Sequence, residues 1–363
     1  MEIRKNIYYW KSDRPYAEGN VQVNDEDDVE DIEASLENYL IDYFGTDNFT
    51  LLPGSGQGNH KTYVVAHKGT KYFIRIENGP EKDDYMDVES EIIGLIGKIG
   101  VPCPTVFHSD ANRNKVPYAI QLLNFIDSKD LNELYKNDEL SLNEIAPSIG
   151  RYIATYQQLT FDNFGLFNPI KLRKEGKLIA YHETYLKYFF LNWEGHLEFL
   201  TKENFLSAEN VVEIKKTVNQ YISLLDVERG CLVHKDLALW NILGTSKEIK
   251  SIIDWDDAIS GDPVDDISLL ACFHSGDIIL QVMEGYRSVK PLPANFEKRF
   301  WLHLLRNIIF KSIIRVRGGY FNMGQDFFMS NNNHTVSLKE FTFQRILFAL
   351  EGLKGKYQIK DLN

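Results

Sequence analysis

LVHKDLALWNIL, residues 232–243, is the stretch that decides the fold and the chemistry of this chain. It holds the pattern H-x-D-x-x-x-x-N, and Asp254 follows Asn241 by thirteen residues, at the end of the apolar run 251–253. Transfer of a phosphoryl group needs one carboxylate that orients the acceptor hydroxyl and takes its proton, and two oxygen ligands for Mg²⁺. Asp236 suits the first role, and Asn241 with Asp254 suits the second. Each alone would be an ordinary turn-capping residue, so it is the combination that supports the prediction.

Two segments of this region resemble the aminoglycoside phosphotransferase and choline kinase family, whose members are protein-kinase-like small-molecule kinases. They are LVHKDLALWNIL and SIIDWDDAISGDPVDDISLL (residues 251–270), and the resemblance extends over residues 50–275. It implies an α+β, bilobal protein-kinase-like fold with a small β-rich N-terminal lobe and a mainly helical C-terminal lobe. We therefore expect a nucleotide-binding lobe over residues 1–124, with a helical extension at 1–48, and a catalytic and substrate lobe over 125–363.

The resemblance assigns roles to the residues of the central motifs. It makes Asp236 the catalytic aspartate, His234 a brace of the catalytic loop, and Asn241 and Asp254 the Mg²⁺ ligands. Asp266 ends a G-D-P-x-x-D motif and would begin a helix that supports the catalytic loop. An N-cap role for Asp266 is compatible with that support, because a short acidic side chain accepts hydrogen bonds from the first helical turn.

The first 125 residues contain two features that the resemblance associates with ATP, or with GTP in its place. One is a glycine-rich turn between two predicted strands, where backbone N–H groups can face phosphate oxygens. Its candidate residues are Ser55, Gly56, Gly58 and Asn59. By itself this turn would indicate only an ordinary hairpin. The other feature is the adenine hinge at the end of an apolar run, with candidate residues Leu123, Asn124 and Phe125.

A cation and a carboxylate are predicted to act together on the phosphates. The run YFIR, residues 72–75, resembles the kinase strand that ends in a phosphate-pairing cation, with Arg75 in place of the commoner lysine. Arginine offers a planar fork of donors and a permanent charge. Its expected partner is Glu89, in preference to Glu91, because Glu89 shares a helix face with the isoleucines three and four residues later.

The chain is acidic, which disfavours broad contact with nucleic acid. Its 363 residues include 52 Asp and Glu against 40 Lys and Arg, a formal net charge of −12. Neutralising nucleic-acid phosphates requires a surplus of basic residues instead. We expect an acidic rim that attracts a cationic acceptor such as an aminoglycoside, and with it a role in antibiotic resistance. The rim would consist of the aspartates that the motifs leave over, Asp256, Asp257, Asp262 and Asp265.

Several acceptors and two other functional classes stay open at this point. The family also contains kinases of choline, homoserine, methylthioribose, macrolides and fructosamines, and a predicted helix over 181–200 would contribute to the acceptor pocket, with Glu183 facing the substrate. A nucleotide-binding pseudokinase is disfavoured because only Arg75 departs from the family pattern. A protein kinase is disfavoured because Trp-Asp follows Asp254 where Phe-Gly would stand, and no A-P-E motif comes after it.

Hydrophobic periodicity predicts a β-rich beginning and a helical remainder. Strands are predicted over 49–52, 62–66, 72–76, 118–125, 231–234 and 249–253, and helices over 25–44, 85–99, 143–159, 181–200, 208–225, 295–316 and 338–353. The three cysteines form no CxxC pair, so they predict neither a zinc site nor a disulfide framework. No apolar run reaches the roughly 18 residues of a membrane span. We expect a cytoplasmic monomer or homodimer that binds neither membrane nor nucleic acid.

Overall fold

A five-stranded antiparallel sheet forms the first part of the described chain. The structure, a computed structural model, describes residues 29–54, 60–78, 85–323 and 336–363. Up to residue 124 the elements are α1 (Val29–Phe44), β1 (Thr50–Pro53), β2 (Lys61–His67), β3 (Thr70–Glu77), α2 (Tyr85–Lys98), β4 (Val106–Asp110) and β5 (Ala119–Asn124). The strands lie in the order β1-β2-β3-β5-β4, and each neighbouring pair is antiparallel. The strands predicted in this region are present, and β4 is an additional one.

Helix α1 covers one face of the sheet, and helix α2 connects the sheet to the rest of the molecule. Leu36 and Leu40 of α1 pack in one cluster with Val65 of β2 and Ile74 of β3. Most apolar side chains of α2 belong instead to the larger core, which is formed mainly by residues after 124. Helix α2 therefore carries Glu89 from the N-terminal sheet towards the second part of the chain.

The chain after residue 124 is mainly helical, with short strands between the helices. Its elements are β6 (Lys129–Asp130), α3 (Leu131–Lys136), α4 (Leu142–Tyr156), β7 (Thr160–Phe161), β8 (Phe164–Phe167), α5 (Pro169–Glu175), β9 (Ala180–His182), α6 (Tyr185–Phe189), α7 (Trp193–Lys202), α8 (Ala208–Gln220), β10 (Gly230–Val233), β11 (Ile242–Gly244), β12 (Ile249–Ile252), β13 (Ile259–Gly261), α9 (Asp265–Leu270), α10 (Gly276–Arg287), α11 (Phe296–Arg317) and α12 (Leu338–Leu353). Two small antiparallel sheets run in the orders β7-β10-β13-β8-β9 and β12-β11-β6. The H-x-D-x-x-x-x-N motif occupies the connection from β10 to β11, and Asp254 follows β12.

Most predicted helices are present, and one prediction is wrong. Residues 181–200 form β9, α6 and α7 rather than a single helix. The Thr184 side chain accepts a hydrogen bond from the Lys187 N–H and caps the start of α6. Asn192 adopts a left-handed φ of 56°, which interrupts the helix between α6 and α7. Helix α10 was not predicted. Within the described ranges, no helix combines the length and apolar character needed to cross a membrane.

Helices α4 and α10 approach each other closely because each has a glycine at their crossing. A Cβ atom at Gly150 of α4 would lie 1.9 Å from the Val282 carbonyl oxygen. A Cβ atom at Gly285 of α10 would lie 1.8 Å from the Pro147 carbonyl oxygen. Real Cβ atoms essentially never come within 3.0 Å of such atoms, so any side chain here pushes the helix backbones apart.

Replacing Gly285 by alanine is therefore expected to destabilise the protein by about 1–3 kcal/mol or more, since overpacking a core usually costs an amount in that range. Gly195→Ala in α7 is the matched control, because a Cβ atom there meets no described residue within 4 Å. Helix propensity predicts that this control gains up to about 1 kcal/mol. Denaturant unfolding of both variants measures the difference, and equal effects would show that the crossing tolerates a side chain.

Candidate active site

The H-x-D motif lies in a loop whose backbone is held by Asp266. This residue, in the first turn of α9, accepts hydrogen bonds from the N–H groups of His234 (2.8 Å) and Lys235 (3.0 Å) and from the Tyr156 hydroxyl (2.6 Å). Lys235 has a φ of 69°, a left-handed conformation that is unfavourable for a residue with a side chain. The buried carboxylate therefore stabilises a loop conformation that costs free energy by itself.

His234 connects this loop to the segment that follows β12. Its Nε2 donates to the Ile253 carbonyl oxygen (2.9 Å), and its Nδ1 accepts from the Asp236 N–H (3.3 Å). These two partners select the neutral tautomer that carries its proton on Nε2. The ring is fully buried and lies 4.4 Å from the Trp255 ring between centroids. His234 thus fixes the position of Asp236 relative to the segment that contains Asp254.

The three residues predicted to carry the chemistry come together here. The Asn241 side-chain amide donates to the Asp236 carbonyl oxygen (2.8 Å) and to Asp236 Oδ2 (3.0 Å). The Asn241 carbonyl oxygen accepts from the Ile253 N–H (3.0 Å), which places Asn241 beside the next residue, Asp254. Pairing between β11 and β12 therefore brings together residues that are thirteen positions apart in sequence.

Arg75 joins the N-terminal sheet to this centre. Its Nη1 donates to both carboxylate oxygens of Glu89 (2.5 Å each), and its Nη2 donates to Asp254 Oδ1 (2.7 Å). Glu89 is 1% exposed and also accepts from the Trp255 N–H (3.0 Å). Burial by itself would lower the pKa of Arg75, but the charges of Glu89 and Asp254 raise it above its usual range. The guanidinium is therefore a fixed positive charge between the two parts of the chain.

Oxygen atoms around Asp254 form a donor set that suits a divalent cation. Ligand atoms of His60, Asp254 and Asp256 lie within 4.8 Å of one another, but both ring nitrogens of His60 already contact other side chains. Burial first, and the Asp256 carboxylate second, raise the pKa of Asp254 to about 7. A cation held by Asp254 and the Asn241 carboxamide would offset the repulsion between the Asp254 and Asp256 carboxylates. Oxygen ligands of this kind are those that Mg²⁺ prefers, so the residues present fit that ion.

Helix α11 supplies a contact to Asp236 that the sequence analysis did not predict. Lys311 donates to Asp236 Oδ1 at 2.5 Å, and its side chain is 7% exposed. Together with Asn241, it gives each carboxylate oxygen of Asp236 a fixed partner. A signal was present, because His303, Asn307 and Lys311 recur every four positions and share one helix face. Their partners lie far away in sequence, so the spacing alone did not identify them.

Two members of the predicted acidic rim lie in the interior, and that part of the prediction is wrong. Asp262 and Asp265 are both fully buried. Asp262 pairs with Arg299 (2.7 Å) and His303 (2.9 Å), and Asp265 pairs with Lys235 (3.0 Å). Burial would raise the pKa of each aspartate, but these neighbouring charges lower it, to about 2 for Asp265. The aspartates of the G-D-P-x-x-D motif can lie in the core because α11 and the catalytic loop supply compensating charges.

The other predicted site residues have varied surroundings. Asp256 and Asp257 are half-buried, whereas Glu183 is exposed and pairs with Lys187 at 2.7 Å. Glu91, the less favoured partner of the arginine, is also exposed. The four candidates in the glycine-rich turn lie outside the described residues; they are Ser55, Gly56, Gly58 and Asn59.

The predicted hinge residues take part in the pairing of β5. Leu123 pairs with β3 on one side and with β4 on the other. The Asn124 N–H donates to the Thr105 carbonyl oxygen (3.1 Å), and the Phe125 N–H donates to the Lys71 carbonyl oxygen (3.2 Å). Both N–H groups are therefore used within the fold rather than presented to a ligand.

Comparison with known proteins identifies the family. A model described as the phosphotransferase enzyme family matches residues 50–291 of the chain. The chain belongs to that family. Arg75, Glu89 and the catalytic loop all lie within the matched residues of this phosphotransferase, whereas α11 lies beyond them. No curated protein matches the chain.

Solved structures of low sequence identity share the fold of this phosphotransferase. Aminoglycoside phosphotransferase APH(4)-Ia is 15% identical, with a TM-score of 0.62 over 88% of this chain and 99% of its own. A protein of Haemophilus somnus 129PT, provisionally described as a fructosamine-3-kinase, is 15% identical, with a TM-score of 0.57 over 86% and 97%. A thermostable mutant of APH(4)-Ia in a complex with ADP and hygromycin B is 16% identical, with a TM-score of 0.62 over 88% and 98%. The predicted α+β fold, with a β-sheet N-terminal region and a helical C-terminal region, is confirmed.

Proposed function

We propose that this phosphotransferase moves the γ-phosphoryl group of ATP to a hydroxyl group of a small molecule, with Mg²⁺ held by Asn241 and Asp254. The observation that carries the proposal is the convergence of Asp236, Asn241 and Asp254, with Arg75 bonded to Asp254 at 2.7 Å. A carboxylate for the acceptor, two oxygen ligands for a metal ion and a cation for the phosphates are the parts that phosphoryl transfer needs.

Each side chain has a task that its contacts support. Asp236 orients the acceptor hydroxyl and takes its proton late, because the transition state of phosphoryl transfer is loose. Asn241 and Lys311 hold the two carboxylate oxygens of Asp236 in place. Arg75, positioned by Glu89, pairs with the α- and β-phosphates. Bound Mg²⁺ supplies neutralisation of the phosphate charge.

The family and the ADP complex of the APH(4)-Ia mutant support ATP as the donor, with GTP as the alternative. We place the nucleotide against the sheet that ends at Asn124, so that residues 1–124 form the nucleotide lobe and 125–363 the catalytic and substrate lobe. Because the N–H groups of Asn124 and Phe125 are already bonded, we place the backbone N–H that donates to adenine beyond them, from Ile126 onward.

The acceptor is a small molecule with a hydroxyl group, as the hygromycin B complex of the APH(4)-Ia mutant supports. A cationic, aminoglycoside-like acceptor was expected from the net charge of −12 and from four aspartates, of which only Asp256 and Asp257 still suit a rim. Choline, homoserine, methylthioribose and fructosamine types therefore stand beside aminoglycosides as candidates.

ATP consumption in the presence of a panel of hydroxyl compounds tests the proposed function. The panel includes aminoglycosides, amino alcohols, sugars, sugar acids and macrolides. We expect consumption that depends on one class of acceptor and stops when EDTA removes Mg²⁺. Tight binding of Mg·ATP without turnover on any acceptor would contradict the proposal and favour a pseudokinase.

Arg75→Lys tests the role of the guanidinium at the phosphates. Lysine carries all its donors on one nitrogen, so it cannot hold Glu89 and Asp254 through separate atoms. We expect the KM for ATP to rise about tenfold, as the loss of one charged hydrogen bond predicts, with less effect on the KM for the acceptor. Arg173→Lys is the matched control, because Arg173 pairs with Asp87 (2.8 Å) outside the site. An unchanged KM for ATP in Arg75→Lys would show that a point charge suffices.

A further inference from the structure

Two arginines are buried near the catalytic loop, and neither has a carboxylate partner among the described residues. Arg315 of α11 and Arg345 of α12 are each 1% exposed. Arg315 Nη1 donates to Thr342 Oγ1 (2.8 Å), and Arg345 Nη2 donates to the His274 carbonyl oxygen (3.0 Å). The Nε atoms of both arginines, and Nη1 of Arg345, are buried and make no hydrogen bond with any part of the chain that the structure describes. Among the described residues, no carboxylate is close enough to perturb either guanidinium.

Two uncompensated guanidinium groups are costly in a protein interior, because an unpaired buried charge loses its hydration. Burial lowers the pKa of each to about 10, so both remain charged at neutral pH. Cys272 does not neutralise them, because burial raises the pKa of its thiol to about 11. The Phe273 ring lies 5.6 Å from Arg315, and the Phe341 ring lies 4.7 Å from Arg345. Cation–π contacts of this kind offset only part of the lost hydration.

Arg315 adjoins the centre of the proposed chemistry, and its positive charge acts on Arg345. Arg315 follows Lys311 by four residues, which is one helical turn or about 6 Å along the same face of α11. Lys311 contacts Asp236 at 2.5 Å. The Phe273 ring that lies against Arg315 also contacts Trp240 of the catalytic loop, at 5.0 Å between centroids. An anion bound by Arg315 would therefore lie within the length of a small molecule from the Asp236 carboxylate.

We propose that Arg315 and Arg345 bind an anionic group of the acceptor whose hydroxyl Asp236 orients. This group is a carboxylate or a phosphate. This inference rests on the proposed function, since it names the class of acceptor for the same site. Oxygen atoms of such a group match the N–H donors that lack a partner, and its charge compensates the buried pair. The acceptor is then a hydroxylated anion, which is the opposite of the cationic acceptor expected from the acidic composition.

Inorganic phosphate is the first probe, because its binding can be measured without any turnover. We expect the thermal midpoint of the wild type, saturated with ADP, to rise saturably with phosphate at constant ionic strength. In Arg315→Met the specific rise is lost, and only the general salting effect of phosphate remains. Without phosphate this variant is expected to be at least as stable as the wild type, because methionine removes an unpaired buried charge.

Arg317→Met is the matched control, because Arg317 lies on the same helix and is exposed. It removes the same charge from α11 and is expected to keep the full response to phosphate. Arg345→Met, on the neighbouring helix, is expected to behave like Arg315→Met. Identical responses to phosphate in the wild type and in both methionine variants of the buried pair would overturn the anion site.

Acceptors matched in size but not in charge form the second arm of the test. Glycerol, glycerate, glycerol phosphate and serinol make one set, and glucose, glucuronate and glucosamine make another. We expect the anionic members to be phosphorylated with the lowest KM, phosphate to compete with them, and Arg315→Met to raise that KM by about tenfold to a hundredfold. The affinity for ATP is expected to stay the same.

The phosphate titration and the comparison of acceptors contradict different parts of the proposal. A phosphate response together with a preference for neutral or cationic acceptors, unaffected by Arg315→Met, would overturn the assignment to the acceptor and leave free phosphate as the source. If none of the tested acceptors is phosphorylated, the proposed function is contradicted. The phosphate titration would still decide whether the buried pair of arginines binds an anion.

Discussion

Asp236→Ala is expected to abolish acceptor-dependent phosphoryl transfer while ATP binds as it does to the wild type. Removal of a general base lowers rates by about 100-fold to 10,000-fold, and Asp236 is the carboxylate that faces the acceptor in this account. The nucleotide contacts proposed for Arg75, Asn241 and Asp254 do not use the Asp236 carboxylate. Acceptor-dependent ATP consumption and ATP affinity, measured on the same preparation, separate the two effects.

Two further variants make this result interpretable. Lys311 loses its carboxylate partner in Asp236→Ala, and an unpaired buried ammonium can destabilise the fold. Asp236→Asn keeps the shape and one acceptor oxygen, so it should fold and still fail to take a proton. Asp277→Ala, which removes an exposed aspartate from the first turn of α10, is expected to retain full activity. Wild-type turnover in Asp236→Asn would rule out Asp236 as the base.

Asp266→Ala is expected to cause a large loss of stability. The carboxylate accepts three buried hydrogen bonds, from the N–H groups of His234 and Lys235 and from the Tyr156 hydroxyl. Each buried donor left without a partner costs about 1–3 kcal/mol, so the total loss should be at least about 3 kcal/mol. That is a large share of the roughly 5–15 kcal/mol that stabilises a typical domain.

Denaturant unfolding measures this loss, again with Asp277→Ala as the control. Asp277 also lies in the first turn of a helix, so its removal tests the charge at a helix N-terminus without the buried contacts, and should cost below about 1 kcal/mol. Asp266→Asn is expected to fall between Asp266→Ala and the wild type, because its amide keeps one accepting oxygen. Equal stability of Asp266→Ala and Asp277→Ala would mean that the catalytic loop holds its conformation without Asp266.

The parts of the site that the sequence predicted are those in which chemistry and local spacing act together. Asp236 and Asn241 lie in one loop, and Asp254 is brought beside them by a strand pair that begins immediately after Asn241. Helices α11 and α12 were predicted nearly to the residue, because their apolar positions recur with helical period over long segments. In these places short-range pattern and tertiary structure agree.

The missed features depend on partners that are distant in sequence. Lys311 contacts Asp236 across 75 positions, and the positions of Asp262 and Asp265 in the core depend on charges supplied by α11 and by Lys235. The sequence analysis placed these two aspartates at the surface, because amino-acid composition contains no information on which charges pair. Asn192 shows the local limit: a left-handed residue interrupts a helical pattern that periodicity alone extends through it.

We propose that the Asp236 centre transfers the γ-phosphoryl group to a small-molecule hydroxyl. This transfer can be measured by incubating the protein with γ-phosphate-labelled ATP, Mg²⁺ and a pool of hydroxyl compounds, and then separating small molecules from polypeptide to locate the label. We expect the label to move to a small-molecule phosphate ester with the wild type, and to stay in ATP with Asp236→Asn. Label that moves to polypeptide, or that leaves ATP equally fast with Asp236→Asn, would contradict it.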